Sequence, residues 1–194
     1  MKNKIIKEYE RAEKFKKNSL IKRQPLDKRY LFLLRRATFE KNKFLRWYYE
    51  RRLVRMGEKY NIEISSHCKI GKGLYLGHPG CITINPAAQL GEYVCLHKGA
   101  TIGVENRGPL KGVPTIGNCV WIGINSIIFG KVTIGNDVLI SPNTVVNRDI
   151  PDHSVVFGNP CQIRHRSRAT QGYISDAIYE RYFGDGEKSN SNKL

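Results

Sequence analysis

The sequence predicts a mainly β protein: a parallel β-helix of hexapeptide repeats preceded by an α-helical segment. Three observations predict it. Ile116, Ile122, Ile128, Ile134, Ile140 and Val146 are branched aliphatics spaced six apart without a miss. Four residues after each stands a second small or branched residue: Val120, Ser126, Val132, Val138, Thr144 and Ile150. The register also reaches back through Ile102, Leu96, Leu90 and Ile84 to Leu76, Ile70 and Ile64, giving thirteen anchors across two interruptions. Neither a 3.6-residue helical period nor a two-residue strand alternation produces this pattern, whereas stacked β-coils do.

Each hexad supplies a short strand and a corner. The anchor points inward and stacks on its equivalent one coil up, and the small fifth residue fits near the corner. Gly117, Gly123 and Gly135 follow their anchors directly, which suggests turns that need a positive φ. No single coil buries its own core, so the fold exists only as a stack. The first interruption is two residues long and falls at Ile82 and Thr83. The second, Val104 to Thr115, holds two Gly, two Pro and three charged residues and reads as a loop thrown out of the stack. The coils run to about Val155. The resulting organisation is a basic helical segment over 1–60, a coil domain over 61–166 carrying the loop 104–115, and a C-terminal helix and tail over 167–194.

In the front segment, residues 2–18 are helix-permissive. Pro25 separates them from a second helix, with Asp27 as its cap and Tyr30, Leu31, Leu33 and Leu34 as its apolar stripe. A third helix spans about 40–59, where Phe44, Leu45, Trp47, Tyr48, Leu53 and Met56 recur at three and four. These helices are expected to pack on the first coils and cover the open end of the stack. Arginines alternate with aromatics in the third helix; packing of one face is the expected reason. After the coils, Pro151 and Pro160 break the repeat, Ile163 marks a last strand, and 168–182 reads as a short helix before a polar, disordered tail.

The net charge of +16 is concentrated in front: residues 1–60 hold 20 Lys and Arg against 7 Asp and Glu, the remainder 13 against 10. Such a segment is expected to be a solvated, partly helical arm, with contact to nucleic acid, an anionic lipid surface or an anionic glycan as the alternative; no nucleic-acid-binding motif accompanies it. No stretch has the length of a bilayer span and no apolar signal region opens the chain, so a cytoplasmic location is expected. The five cysteines are odd in number and never form a CxxC pair, which argues against structural zinc and a disulfide framework. Cys68 falls on an inward fifth position and reads as a small core residue.

The coil register sorts the five histidines. Allowing for the two-residue insertion, His97 sits one coil above Gly77 and beside His78, and neither His occupies an inward position. Glu63 falls one coil below Cys81, three residues along the perimeter from His78. A carboxylate there can hold one ring nitrogen of His78 and leave the other as a base.

The stretches LYLGHPGCITINPAAQLGEYVCLHKGATIG and VPTIGNCVWIGINSIIFGKVTIGNDVLISPNTVVNRDIPDHSVVFGNPCQI resemble the hexapeptide-repeat acyltransferases, in particular their serine O-acetyltransferase branch. The resemblance covers about residues 45–175. It implies a left-handed β-helix, a homotrimer with sites between subunits, and acetyl-CoA as acetyl donor with no metal. It places the catalytic His on His78 and its acidic partner, normally Asp, on Glu63. Ile124 and Pro142 would line the pantetheine channel, Trp121 would wall it, and Arg164 and Arg166 would meet the CoA phosphates. His97, Lys98 and Arg107 are candidates for the acceptor site. The branch carries a second His just before the Pro of VPTI, where this chain has Val113, so the acceptor is L-serine or a sugar hydroxyl of a surface polysaccharide. Two other readings are weaker. A zinc enzyme of the carbonic anhydrase type lacks a third His near His78 and His97, and a non-catalytic solenoid scaffold needs neither the Glu63–His78 alignment nor the ejected loop.

Overall fold

The computed structural model describes residues 25–184; the helix expected over 2–18 and all but the first residue of the expected tail lie outside the described residues. Three parallel sheets form the sides of a prism. The first stacks β1 (Ile62–Ile64), β4 (Ile82–Ile84), β7 (Thr101–Gly103), β10 (Ile127–Phe129) and β13 (Val145–Val146). The second stacks β2 (Lys69–Ile70), β5 (Gln89–Leu90), β8 (Thr115–Ile116) and β11 (Thr133–Ile134). The third stacks β3 (Tyr75–Gly77), β6 (Cys95–His97), β9 (Trp121–Ile122), β12 (Val138–Ile140) and β14 (Ser154–Phe157), and β15 (Gln162–His165) closes it antiparallel to β14.

Twelve of the thirteen anchors are buried, and Ile70, at the open end, packs on the core partly exposed. All six fifth-position residues from Val120 to Ile150 are buried, as is Cys68. Full burial of one such aliphatic side chain stabilises by about 1.5–3 kcal/mol, so the periodicity itself is the main stabilising pattern.

The glycines after the anchors serve close approach rather than positive φ. A Cβ on Gly117 would lie 2.6 Å from the Gly135 carbonyl oxygen of the next coil, and one on Gly123 would lie 2.6 Å from the Pro142 nitrogen. The left-handed corners are taken instead by Asn61, Cys81, Asn125 and Asn143 along one edge and by Tyr93, Cys119, Asp137 and His153 along another.

The two extra residues are not Ile82 and Thr83. Those two pair with Ile62 and Glu63 in regular register. Leu76 is still in register with Leu96, and Gly99 N–H bonds the Gly80 carbonyl, so the surplus lies in the corner 78–80. Burial decides the matter: Ile82 and Ile84 both point inward. The interruption at 104–115 is a hairpin. Glu105 and Gly112 exchange both backbone hydrogen bonds at 2.9 Å, and Leu110 and Val113 pack against the core.

Two helices precede the coils, α1 (Leu26–Phe39) and α2 (Lys43–Tyr60). Helix α1 buries Tyr30, Leu31, Leu33, Leu34 and Ala37 and closes the open end of the stack. Its polar side chains satisfy the lowest strands, which have no coil beneath them. The Tyr30 hydroxyl meets the Ile62 and Ile64 carbonyls at 3.3 and 3.5 Å, and Thr38 donates to Ser66 O at 3.0 Å. Arg35 donates to Ile70 O at 2.9 Å and also to Gly71 O. Asp27 does not cap this helix; Pro25 takes the N-cap position and Asp27 lies in the first turn.

Helix α2 departs from expectation more strongly. Of its predicted stripe only Leu53 and Met56 are buried, because residues 41–48 run past the stack and are exposed on every side. Helix α3 (Asp176–Phe183) falls at the end of the predicted 168–182 helix.

Candidate active site along one edge of the prism

The edge between the third and first sheets brings together most of the residues singled out from the sequence. Lys98 N–H bonds Gly77 O at 3.2 Å, Asn125 N–H bonds Lys98 O at 2.9 Å and Asn143 N–H bonds Ile124 O at 2.9 Å. His78, Lys98, Ile124 and Pro142 therefore follow one another up a single edge, one per coil. The surplus residues at 78–80 push the lowest corner outward and leave the His78 side chain exposed with φ at 51°. A non-glycine residue in this region is uncommon, and such positions concentrate at functional sites. A cleft of about 680 Å³ lies here, lined among others by Asp27, Lys59, Tyr60, His78, Cys81 and Lys98.

His97 is inset beside this cleft. Its ring centroid lies 6.4 Å from that of His78 and 4.6 Å from that of Trp121, which in turn lies 4.8 Å from Tyr173. His97 Nε2 is buried with no hydrogen-bond partner among the described residues. Burial, and then the neighbouring charge of His78, hold the His97 pKa below the usual imidazole value. The two imidazoles differ in setting: that of His78 is exposed in the cleft, while that of His97 is inset against Trp121.

Glu63 stands apart from the predicted geometry. It pairs with Thr83, five residues along the perimeter from His78, rather than lying under Cys81. The register shift follows from the surplus residues in the intervening corner. Glu63 lines a second cavity of about 800 Å³ between α2 and the first sheet, with Glu50, Glu58, Ser65 and Thr83. Among the described residues no hydrogen bond or ion pair joins Glu63 to His78. Arg164 lies at the top of the stack, its guanidinium 6.0 Å from the Phe157 ring centroid and so near the His78 edge. The Arg166 backbone N–H bonds His153 O, at the other edge of the same sheet. Arg107 sits on the hairpin, which leaves the prism at the far side of the first sheet from His78.

Burial pushes the thiols of Cys95 and Cys119 up to about 12 and that of Cys68 to about 11, so these three are poor nucleophiles. No group of three or more His, Cys, Asp or Glu side chains able to hold a metal ion occurs among the described residues.

Sequence reasoning missed the centre of the C-terminal clasp. The Asp137 carboxylate is fully buried and accepts from Ala169 N–H at 3.0 Å, Thr170 N–H at 2.9 Å, the Thr170 hydroxyl at 2.6 Å and the Tyr179 hydroxyl at 3.1 Å. Its Oδ2 lies 2.8 Å from His153 Nδ1. In the sequence Asp137 is one polar corner residue among several, and nothing local marks the 32-residue reach to Ala169.

The stacked hexad coils are similar to those of hexapeptide-repeat transferases. The bacterial transferase hexapeptide (six repeats) family matches residues 114–148. Within that class the coils are similar to those of serine acetyltransferases. The Helicobacter pylori enzyme is 33% identical over 107 residues, 55% of this chain and 63% of that protein. The Staphylococcus aureus enzyme is 31% identical over 126 residues, 62% of this chain and 59% of that protein. A Neisseria gonorrhoeae serine acetyltransferase, solved in complex with serine, has the same fold at a TM-score of 0.65, with 23% identity over 84% of this chain and 69% of that one. The chain spans 63% or less of the length of the first curated relatives it matches.

Proposed function

We propose that the protein is an acetyl-CoA-dependent O-acetyltransferase in which His78 is the general base. The observation that carries this reading is the alignment of His78, Lys98, Ile124 and Pro142 on one edge. An extended thioester laid along Ile124 and Pro142 reaches the cleft of His78 without a turn. His78 takes the proton of an acceptor hydroxyl, whose oxygen attacks the thioester carbonyl. The C–S bond then breaks, and the imidazolium returns the proton to the departing thiolate. The negative oxygen in between requires an N–H donor, supplied by the backbone of the same edge. Glu63 lines the adjoining cavity without touching His78, so any effect it has on the imidazolium is a long-range one of its charge, weakened by solvent. Arg164 meets the CoA phosphates at the top of the edge. Transfer is direct, so no cysteine is acylated.

Arg107 and His78 lie on opposite sides of the first sheet. An acceptor held by both requires a neighbouring copy, which supports a homotrimer with its sites between subunits. A cytoplasmic location supplies the acetyl-CoA.

L-serine is the acceptor named for the relatives and is the first assignment. A sugar hydroxyl is the second, and Val113 favours it: this residue packs on the core and offers no polar group where the serine-acetylating branch has a His. The test is release of free thiol from acetyl-CoA, first with L-serine and then with sugars and nucleotide sugars. Turnover with either acceptor supports the transferase. Turnover with sugars alone assigns the second acceptor. No turnover, together with no CoA binding by calorimetry, returns the chain to a scaffold.

A further inference from the structure

Among the described residues, the first turns of α2 leave an apolar cluster without a partner elsewhere in the fold. Phe44 is 73% exposed and Trp47 51%, with Leu45 and Tyr48 also open and Val54 further along at 57%. Residues 41–48 are exposed throughout, so the start of α2 projects from the stack as a prong. Asn42 caps it by accepting from Phe44 N–H at 3.0 Å and Leu45 N–H at 3.2 Å, which fixes the prong as helix up to its tip. Phe44 and Trp47 stack at 5.9 Å.

Cations accompany these apolar groups. The Arg51 guanidinium lies 5.1 Å from the Trp47 ring centroid and that of Arg52 lies 5.7 Å from Tyr48, to whose hydroxyl it also donates at 2.9 Å. Helix α2 carries six Lys and Arg against two Glu. Such a combination does not pack as a protein core, since burying it would strip four arginines and two lysines of water without matching anions. At a membrane interface both halves are satisfied: aromatic and aliphatic side chains enter the acyl boundary while the guanidinium groups stay among the headgroup phosphates.

We propose that the projecting end of α2 is a docking site for an anionic phospholipid bilayer. Charge complementarity selects this occupant over two others. Residues 1–24 hold nine Lys and Arg against three Glu, a net charge of the same sign as that of α2. A second copy related by a twofold axis would bring an identical cationic face, and the vesicle experiment below separates the membrane from a rotationally related copy. The convex shape also disfavours nucleic acid, which binds along grooves or flat stacking platforms, and Leu45 and Val54 have no counterpart on such a ligand. The inference is independent of the acetyl acceptor.

The experiment is cosedimentation of the full chain with vesicles of phosphatidylcholine alone and of equimolar phosphatidylcholine and phosphatidylglycerol, at low and high salt. Binding is expected to the anionic vesicles only and to weaken with salt. The variant Phe44→Ser/Trp47→Ser should weaken it about tenfold or more, and Arg51→Glu/Arg52→Glu by a similar factor. Both pairs are exposed, so thermal midpoints close to that of the unaltered chain are expected. Three results overturn the proposal: no binding to anionic vesicles, binding that survives both double variants, or binding to a single-stranded oligonucleotide with none to vesicles. Self-association abolished by Phe44→Ser/Trp47→Ser without any vesicle binding would also overturn it, by assigning the prong to contact between copies.

Discussion

Gly77 and His97 are register partners on adjacent strands of the third sheet, and the imidazole of His97 occupies the space that a side chain at position 77 would fill. The absence of a Cβ at 77 is what lets His97 lie inset between this coil and Trp121. Gly77→Ala should displace the ring, at a cost of about 1–3 kcal/mol for overpacking. Thermal unfolding reads that cost. A midpoint unchanged by the substitution would mean the His97 ring is free to move, contrary to its packing against Trp121.

The inset position also predicts a pH effect. The folded pKa of His97 is lowered, mainly by burial, below its unfolded value of about 6.5. As pH falls below about 6.5 the unfolded chain takes up this proton before the folded chain does, so stability falls with pH. The contribution is fully present above that value and is lost as pH drops through the folded pKa. In His97→Phe, which retains a ring to stack on Trp121, the decline in unfolding midpoint between about pH 7 and about pH 5 should be shallower. An identical decline in both proteins would assign the acid sensitivity to other groups.

The coils were legible because their stability depends on a repeated local pattern. Each anchor from Ile64 to Val146 repeats the same inward placement, and a period of six survives single irregularities. What escaped was set by contacts between elements distant in sequence. The surplus at 78–80 was misplaced to Ile82 and Thr83 because both candidate positions follow an aliphatic anchor, and only the pairing of Ile82 with Ile62 separates them. That misplacement carried Glu63 two residues away from its true partner. The exposed stripe of α2 was read as packing because helical periodicity reports amphipathicity, not what the apolar face meets. The coil register and the resemblance together single out His78 as a candidate; its left-handed backbone is visible in neither.

The chemistry assigned to the edge predicts unequal effects of three substitutions. His78→Asn should lower turnover by about 10²- to 10⁴-fold, the usual contribution of a positioned base, with the unfolding midpoint unchanged because the side chain is exposed. Glu63→Gln should reduce turnover far less, by about tenfold or under, because no hydrogen bond joins it to His78 and only a screened charge is lost. Cys81→Ala, within the same cleft, should leave turnover near its starting value. Thiol-release rates with saturating acetyl-CoA measure all three. A folded His78→Asn protein with near-normal rates would sink the general-base assignment, and a large loss in Cys81→Ala would point to an acyl-enzyme.

Asp137 predicts the behaviour of the other end of the molecule. Its carboxylate holds Ala169, Thr170 and Tyr179, and through them the segment that brings Tyr173 against Trp121. Asp137→Ala leaves buried donors without acceptors, each costing about 1–3 kcal/mol, and removes the partner of His153. Asp137→Asn retains the shape but turns one acceptor oxygen into a donor facing other donors, so it should rescue little. Hydrogen exchange should show residues 167–183 opening in both variants while the coils between Ile84 and Val132 remain protected, since their hydrogen bonds run between strands and do not pass through Asp137. Uniform loss of protection would show instead that the clasp and the coils unfold as one unit. Opening confined to the C-terminal segment would establish that the wall formed by Trp121 and Tyr173 can be released without disturbing the edge that carries His78.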